Sequence, residues 1–285
     1  YLMGTSKGLL LPATVLTYVF TGTLDFADNI TSGIFTKGTD GIWVSVTYGL
    51  FIFGFAKAAI MPLHNWLPSA MVAPTPVSAL LHAVAVVKAG VFCISRVMLS
   101  VFGLELLQSL NLGLCTAYLV SFTILVASII ALTKDDLKAR LAYSTVSQLS
   151  YIVLGVALLD PSGVLGGIIH IVNHGFSKIT LFFCAGAIYV ATHKKKISDM
   201  AGIGYAMPFT MGAFAIASLS MIGVPPVAGF VSKWYLLNGA MSIHNLPIVI
   251  ILMVSTLLNA GYFAPITIRA FFQGRKEKWS AADIK

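Results

Sequence analysis

The sequence predicts an all-α, polytopic membrane helix bundle of about eight transmembrane spans, two of them discontinuous. Three observations carry this. Hydrophobic residues make up 58% of the 285 residues and charged residues 10%, against about 45–50% and about 25% in soluble domains. Mean hydropathy is +0.90, too high for a chain of this length to bury in a water-soluble core. The apolar residues also come in runs of roughly 20, the length that crosses a bilayer as a helix. The same composition excludes disorder, a collagen-like repeat and a disulfide-rich scaffold. The net charge of +8 points to no nucleic-acid partner, because most basic residues sit in short caps between apolar runs. Cys93, Cys115 and Cys184 lie singly inside such runs without a CxxC pair, so no zinc or iron–sulfur framework is expected. "GIGYAM" lacks the third glycine of a dinucleotide fingerprint, and no cofactor is expected. Residues 1–7 do not resemble a signal peptide, and the start at Tyr1 reads as a cut through a longer protein.

Spans are expected at about 8–24, 42–60, 77–102, 112–133, 141–159, 164–191, 205–241 and 248–270. The first and third are plain apolar runs. The second leads into the proline-rich "IMPLHNWLPSAMVAPTPVSAL" and should break near Met61–Pro62. The fourth and fifth flank the charged loop "KDDLKAR", and the sixth carries most of the polar residues taken up below. The seventh is too long for one helix and is interrupted at "IGVPPVAGF", near Gly223–Pro226. Proline removes a backbone donor and clashes with the preceding turn. The eighth leads into a basic tail.

Charge tests the count. If the 134–140 loop is cytoplasmic, alternation places twelve basic residues on that side. The other side then has Lys37 alone, beside Asp25, Asp28 and Asp40. That is the positive-inside pattern, and one span more or fewer would scramble it. It puts the C-terminus in the cytoplasm. The first three spans run plain, broken, plain, and the last three repeat that order from the opposite side. Inverted repeats with discontinuous helices are a transporter design with the working site near the midplane.

Lys57, Lys88, Lys178 and Lys233 lie inside spans whose interiors contain no acid. Each costs about 2.5–3.5 kcal/mol at mid-bilayer on insertion scales. Snorkelling is the alternative, and it explains Arg96 near a span end. Lys88 and Lys178 are too central to snorkel easily. Lys57 and Lys233 sit beside the two expected breaks. A buried amine loses and regains its proton more readily than one in water, so such lysines joined by water can relay protons. His170, His174 and Lys178 recur every four residues in "HIVNHGFSKITLFF", on one helical face. Helix–helix hydrogen bonding is the alternative for this stripe. Metal chelation by His-x3-His is disfavoured, because the six histidines are spread over the chain. His82 precedes Lys88 by six residues and could line an adjoining face, or bond to a neighbouring backbone. His64, His193 and His244 fall in loops or at span ends.

At these residues the sequence resembles a known family. "FGFAKAAIMPLHNWLPSAMVAPTPVSALLHAVAVVKAGVF", "DDLKARLAYSTVSQLSY", "HIVNHGFSKITLFF" and "GVPPVAGFVSKWYLL" are similar to motifs of antiporter-like proton-translocating subunits. These are shared by Mrp-type cation:proton antiporters, respiratory NADH:quinone oxidoreductase (complex I) and membrane-bound group 4 hydrogenases. The resemblance implies that Lys57 is the lysine of the first broken helix and Lys88 that of the next helix. His82 stands where some members carry histidine in place of that lysine. His170, His174 and Lys178 match the central stripe. Lys233 matches the terminal lysine of the second broken helix, where other members carry glutamate. Asp136 and Lys138 match charged loop residues near the central axis. The family has about fourteen spans, and this chain matches from about the sixth. The glutamate that pairs with the lysine at Lys57 is therefore outside it.

The expected organisation is the remainder of one half-channel over 1–110, a second half-channel over 111–270 and a basic cytoplasmic tail over 271–285. The expected function is proton translocation along the lysine–histidine–water line. The partners would be other membrane subunits, protons, the lipid bilayer and, in an antiporter, Na+. The location would be a bacterial or archaeal cell (inner) membrane. The chain itself shows no redox or hydrolytic site. The alternatives are a secondary solute carrier, which would need a substrate-sized cavity, and a purely structural subunit, which would not need interior lysines.

Overall fold

A computed structural model describes residues 2–35, 38–83 and 85–273, with the backbone alone at residues 2, 3 and 82. Lys37 and residues 274–285, which enter the charge argument, lie outside them, as does the His82 side chain. The described chain is helical: α1 (Leu2–Thr21), α2 (Gly41–Gly54), α3 (Trp66–Ser69), α4 (Thr75–Ala83), α5 (Val86–Val97), α6 (Leu104–Ser109), α7 (Leu112–Thr133), α8 (Leu137–Ala157), α9 (Pro161–Thr192), α10 (Ile203–Ala206), α11 (Pro208–Ile222), α12 (Ala228–Ser242) and α13 (Leu246–Phe272).

Local chemistry sets the helix starts. Asp136 caps α8 by accepting from the Ala139 N–H at 2.8 Å. Asp160 caps α9, with Pro161 in the first turn. Asn245 caps α13 by accepting from the Ile248 N–H at 3.3 Å. In each, a side-chain oxygen takes up a helix-start donor that has no partner within the helix.

Each expected span falls on helical segments. Among the described residues, four are long and apolar enough to cross a membrane: Thr75–Phe102, Leu112–Thr133, Pro161–Thr192 and Leu246–Phe272. Gly41–Gly54 and Pro208–Ile222 are apolar but shorter, being half-helices. The first interruption is wider than the proline alone predicts. After Gly54 come a 3₁₀ turn over Ala56–Ala58 and a left-handed Ala59 (φ 56°), and helix resumes only at Trp66. The Trp66 indole N–H donates across this gap to the Ala56 carbonyl at 2.9 Å. The second interruption spans the gap between Ile222 and Ala228, opened by Gly223 at φ +88°. A single π-helical turn, Met98–Phe102, ends the α5 span.

The connections gather at two ends of the bundle. At one end the 134–140 and 193–199 loops pair through Leu137 N–H to Lys195 O (3.0 Å) and Ile197 N–H to Asp135 O (2.8 Å), while Gly202 N–H reaches Arg269 O at 3.2 Å. Three of the regions that the charge argument assigns to one side thus touch. Elsewhere the acidic loop after α1 is stitched to the end of the α5 span, by Ile34 N–H to Val101 O at 2.8 Å and Leu104 N–H to Ile30 O at 3.0 Å.

α8 is the central helix. It packs on α7 and α9 and touches α3, α5 and α12. Its buried side chains include Ser144, Thr145, Ser147, Gln148, Ser150 and Tyr151. Surrounded by protein rather than lipid, it can carry polar side chains at membrane depth.

Candidate functional site

The site is built on α9. Its four-residue spacing puts His170, His174 and Lys178 on one side, and all three are buried, between 0% and 2% exposed. The side chains facing them come mainly from α8 and α12.

His170 joins three helices. Its Nε2 lies 2.9 Å from Gln148 Oε1 on α8, and its Nδ1 lies 2.9 Å from Ser232 Oγ on α12. A carbonyl-type oxygen only accepts, so Nε2 carries a hydrogen. The Ser232 hydroxyl also reaches the Gly229 carbonyl at 3.1 Å. The arrangement therefore suits both charge states. With neutral imidazole the hydroxyl donates to Nδ1. With imidazolium, Nδ1 donates to Oγ and the hydroxyl turns to Gly229. The His174 ring follows at 6.2 Å from His170.

Lys178 is fully buried. Its Nζ donates to the Leu141 carbonyl at 2.9 Å and to Ser144 Oγ, both on α8, and lies 5.6 Å over the Phe263 ring. Lys88 on α5 is also buried, and its Nζ donates to the Ile171 carbonyl beside the histidine stripe. Lys233 on α12 folds back over the second helix break. Its Nζ donates to the Met221 and Ile222 carbonyls at 2.9 and 2.8 Å and lies 5.2 Å over the Tyr151 ring. Those carbonyls belong to the last turn of α11, where no intrahelical donor is available and the helix dipole is negative.

The structure thus brings together Lys88, His170, His174, Lys178 and Lys233. Lys57 stands apart: the 3₁₀ turn that carries it is closely packed on Gly90 of α5, but its own side chain is exposed. Asp136 and Lys138 also stand apart. They line a cavity of about 950 Å³ at the end of the bundle, together with Pro74, Tyr189, Lys194 and Lys195. There the Asp136 carboxylate caps α8, and Lys138 Nζ lies 5.9 Å from the Tyr189 ring centroid. Among the described residues no three His, Cys, Asp or Glu side chains form a group that could hold a metal ion.

The family model described as NADH:quinone oxidoreductase/Mrp antiporter, transmembrane, matches residues 2–259. The chain belongs to this family. As a member of the NADH:quinone oxidoreductase/Mrp antiporter family it is 36% identical over 268 residues to NADH-quinone oxidoreductase subunit N of Desulforudis audaxviator, covering 93% of this chain and 53% of that one. To NADH-quinone oxidoreductase subunit L of Rickettsia bellii it is 39% identical over 223 residues, covering 78% of this chain and 33% of that one. A chain in the Mrp complex structure from Dietzia sp. superposes with a TM-score of 0.85 at 26% identity, covering 98% of this chain and 50% of that one. This family member therefore spans about half the length of the curated relative in Desulforudis audaxviator. It is a multi-pass integral membrane protein.

Gln148, Ser232 and Ser144 complete the site, and neither charge nor histidine spacing points to them. A signal was present: "YSTVSQLSY" concentrates hydroxyl and amide side chains inside an expected span. A span that polar has to face protein or water rather than lipid.

Proposed function

We propose that this chain forms the proton-conducting part of an antiporter-like membrane subunit, working within an Mrp-type cation:proton antiporter or a complex I-like oxidoreductase. One observation carries the reading. Lys88, His170, His174 and Lys178 are buried and Lys233 is half-buried, and together they form a titratable line beside a broken helix, with hydroxyls, an amide and backbone carbonyls as neighbours. No carboxylate of the sequence lies inside these helices to fix the lysines as permanent ion pairs. A purely structural subunit has no use for so many costly cations. Lys57 and His82, on the remainder of the first half-channel (residues 1–110), feed the line from that side, and Asp136 and Lys138 act in the loop at one end. Residues 111–270 form the second half-channel. The subunit sits in a bacterial or archaeal cell membrane with its C-terminus in the cytoplasm, among other membrane subunits, and Na+ is the counter-ion where the assembly is an antiporter.

The test is Lys233→Met beside Lys233→Arg in the full assembly. Methionine keeps the length of the stem and removes the titrating group. Arginine keeps the charge but does not release its proton. Both should lower proton flux at least about a hundred-fold while the complex still assembles, the scale on which a general acid–base group contributes. Wild-type flux in Lys233→Met would overturn the proposal.

A further inference from the structure

Tyr151 has no part in the relay just proposed. It is fully buried on α8. Its hydroxyl donates to Ser255 Oγ on α13 at 2.7 Å, which fixes the ring. Two relay members touch that ring: Lys233 Nζ stands 5.2 Å over its centroid, and the His170 ring centre is 5.7 Å away.

We infer that Tyr151 is a positioning residue for proton transfer at the second broken helix, its ring face forming with the terminal carbonyls of α11 a latch selective for charged Lys233. The inference rests on the relay reading. The Met221 and Ile222 carbonyls accept hydrogen bonds from an ammonium or from a neutral amine. The ring face is different: it carries the negative side of the aromatic quadrupole and attracts only the cation. The ring therefore discriminates between the two charge states. When the proton leaves, that attraction ends and the amine is freer to move. Room for the stem comes from Gly223, where an added Cβ would lie 2.7 Å from Lys233 Cδ. Because the same ring touches His170, the state of Lys233 is felt at the head of the histidine stripe.

Other titratable groups bear on this site. The elements packed against α12 are α8, α9, α11 and α13. Their buried titratable side chains are Tyr151 on α8, His170, His174, Lys178 and Cys184 on α9, and Tyr262 on α13, whose hydroxyl donates to Asn259. α11 contributes none. Lys88 approaches from α5 on the side of Ile171.

Fluorinated phenylalanines at position 151 test the latch, because they weaken the ring face step by step with little change in volume. Proton flux of the full assembly in proteoliposomes would be measured against pH for Tyr151→Phe and for its mono-, di- and trifluorinated forms. Phenylalanine keeps the ring face and should leave the alkaline limb of the profile in place. Fluorination should move that limb to lower pH in steps, by about one pH unit in all, with maximal flux within about two-fold, the scale expected of a desolvated cation–π contact. An unmoved limb across the series would overturn the inference. So would a shift already complete in Tyr151→Phe, which would assign the effect to the hydroxyl and Ser255. Lys233→Met in the same preparation separates the two claims. If it is inactive while fluorination does nothing, the latch alone fails. If it conducts normally, the relay reading fails.

Discussion

His170 is held so that it can gain or lose a proton without losing its partners. Ser232 can either donate to it or accept from it, and Gln148 accepts in both states. Ser232→Ala removes the hydroxyl bonded to Nδ1. It should reduce proton flux about five-fold with normal assembly, since a buried hydrogen bond is worth roughly 1 kcal/mol. Gln148→Leu strands the Nε2 hydrogen in an apolar site and should cost more, on the order of 1–3 kcal/mol. Flux measurements on both variants, normalised to assembled complex, check this, and unchanged flux in both would remove His170 from the pathway. The lysines were legible in the sequence because each is a lone cation in an apolar run. Their partners were not, because serine, glutamine and tyrosine are tolerated in spans and matter only once tertiary packing turns α8 toward α9. Depth could be read and direction could not: Lys57 was placed correctly beside a break, yet its side chain is exposed.

At the scale of elements, the breaks were legible because proline interrupts a hydrogen-bond ladder whatever surrounds it. Their widths were not. The first gap extends to Trp66, and its long excursion is held by contacts from distant residues, such as Met61 N–H to Thr123 Oγ1 at 3.3 Å. At the second break Gly223 does two things: it takes a left-handed conformation (φ +88°) and leaves space under the Lys233 stem. Gly223→Ala should cost about 1–2 kcal/mol in backbone conformation. It should also displace Lys233, lowering flux along with thermal stability in detergent. Gly212→Ala is the matched control within α11. A Cβ there meets nothing within 4 Å, and alanine is the better helix former by about 1 kcal/mol. Gly212→Ala should be neutral or slightly stabilising. Equal behaviour of the two variants would show that the space at Gly223 is not needed.

For the whole molecule, charge asymmetry carried the architecture further than apolar runs alone. The expected span at 141–159 is rich in hydroxyl side chains, and the one-sided distribution of basic residues requires a crossing there. The pairing of the 134–140 loop with Lys195 and Ile197, and of Gly202 with Arg269, agrees with that placement. Single cysteines at Ser162 and Lys195, in a background without Cys93, Cys115 and Cys184, test the arrangement. Position 195 should label from the cytoplasm and position 162 only from outside, and the reverse pattern would overturn the orientation. The central claim is that protons pass along this line, and Lys178 tests it most directly, because it is fully buried and its ammonium is hydrogen-bonded to α8. The measurement is proton flux through the reconstituted full assembly carrying Lys178→Met. Flux should fall at least about a hundred-fold with the complex intact, the scale of a lost acid–base group; wild-type flux from an intact Lys178→Met complex would contradict the account.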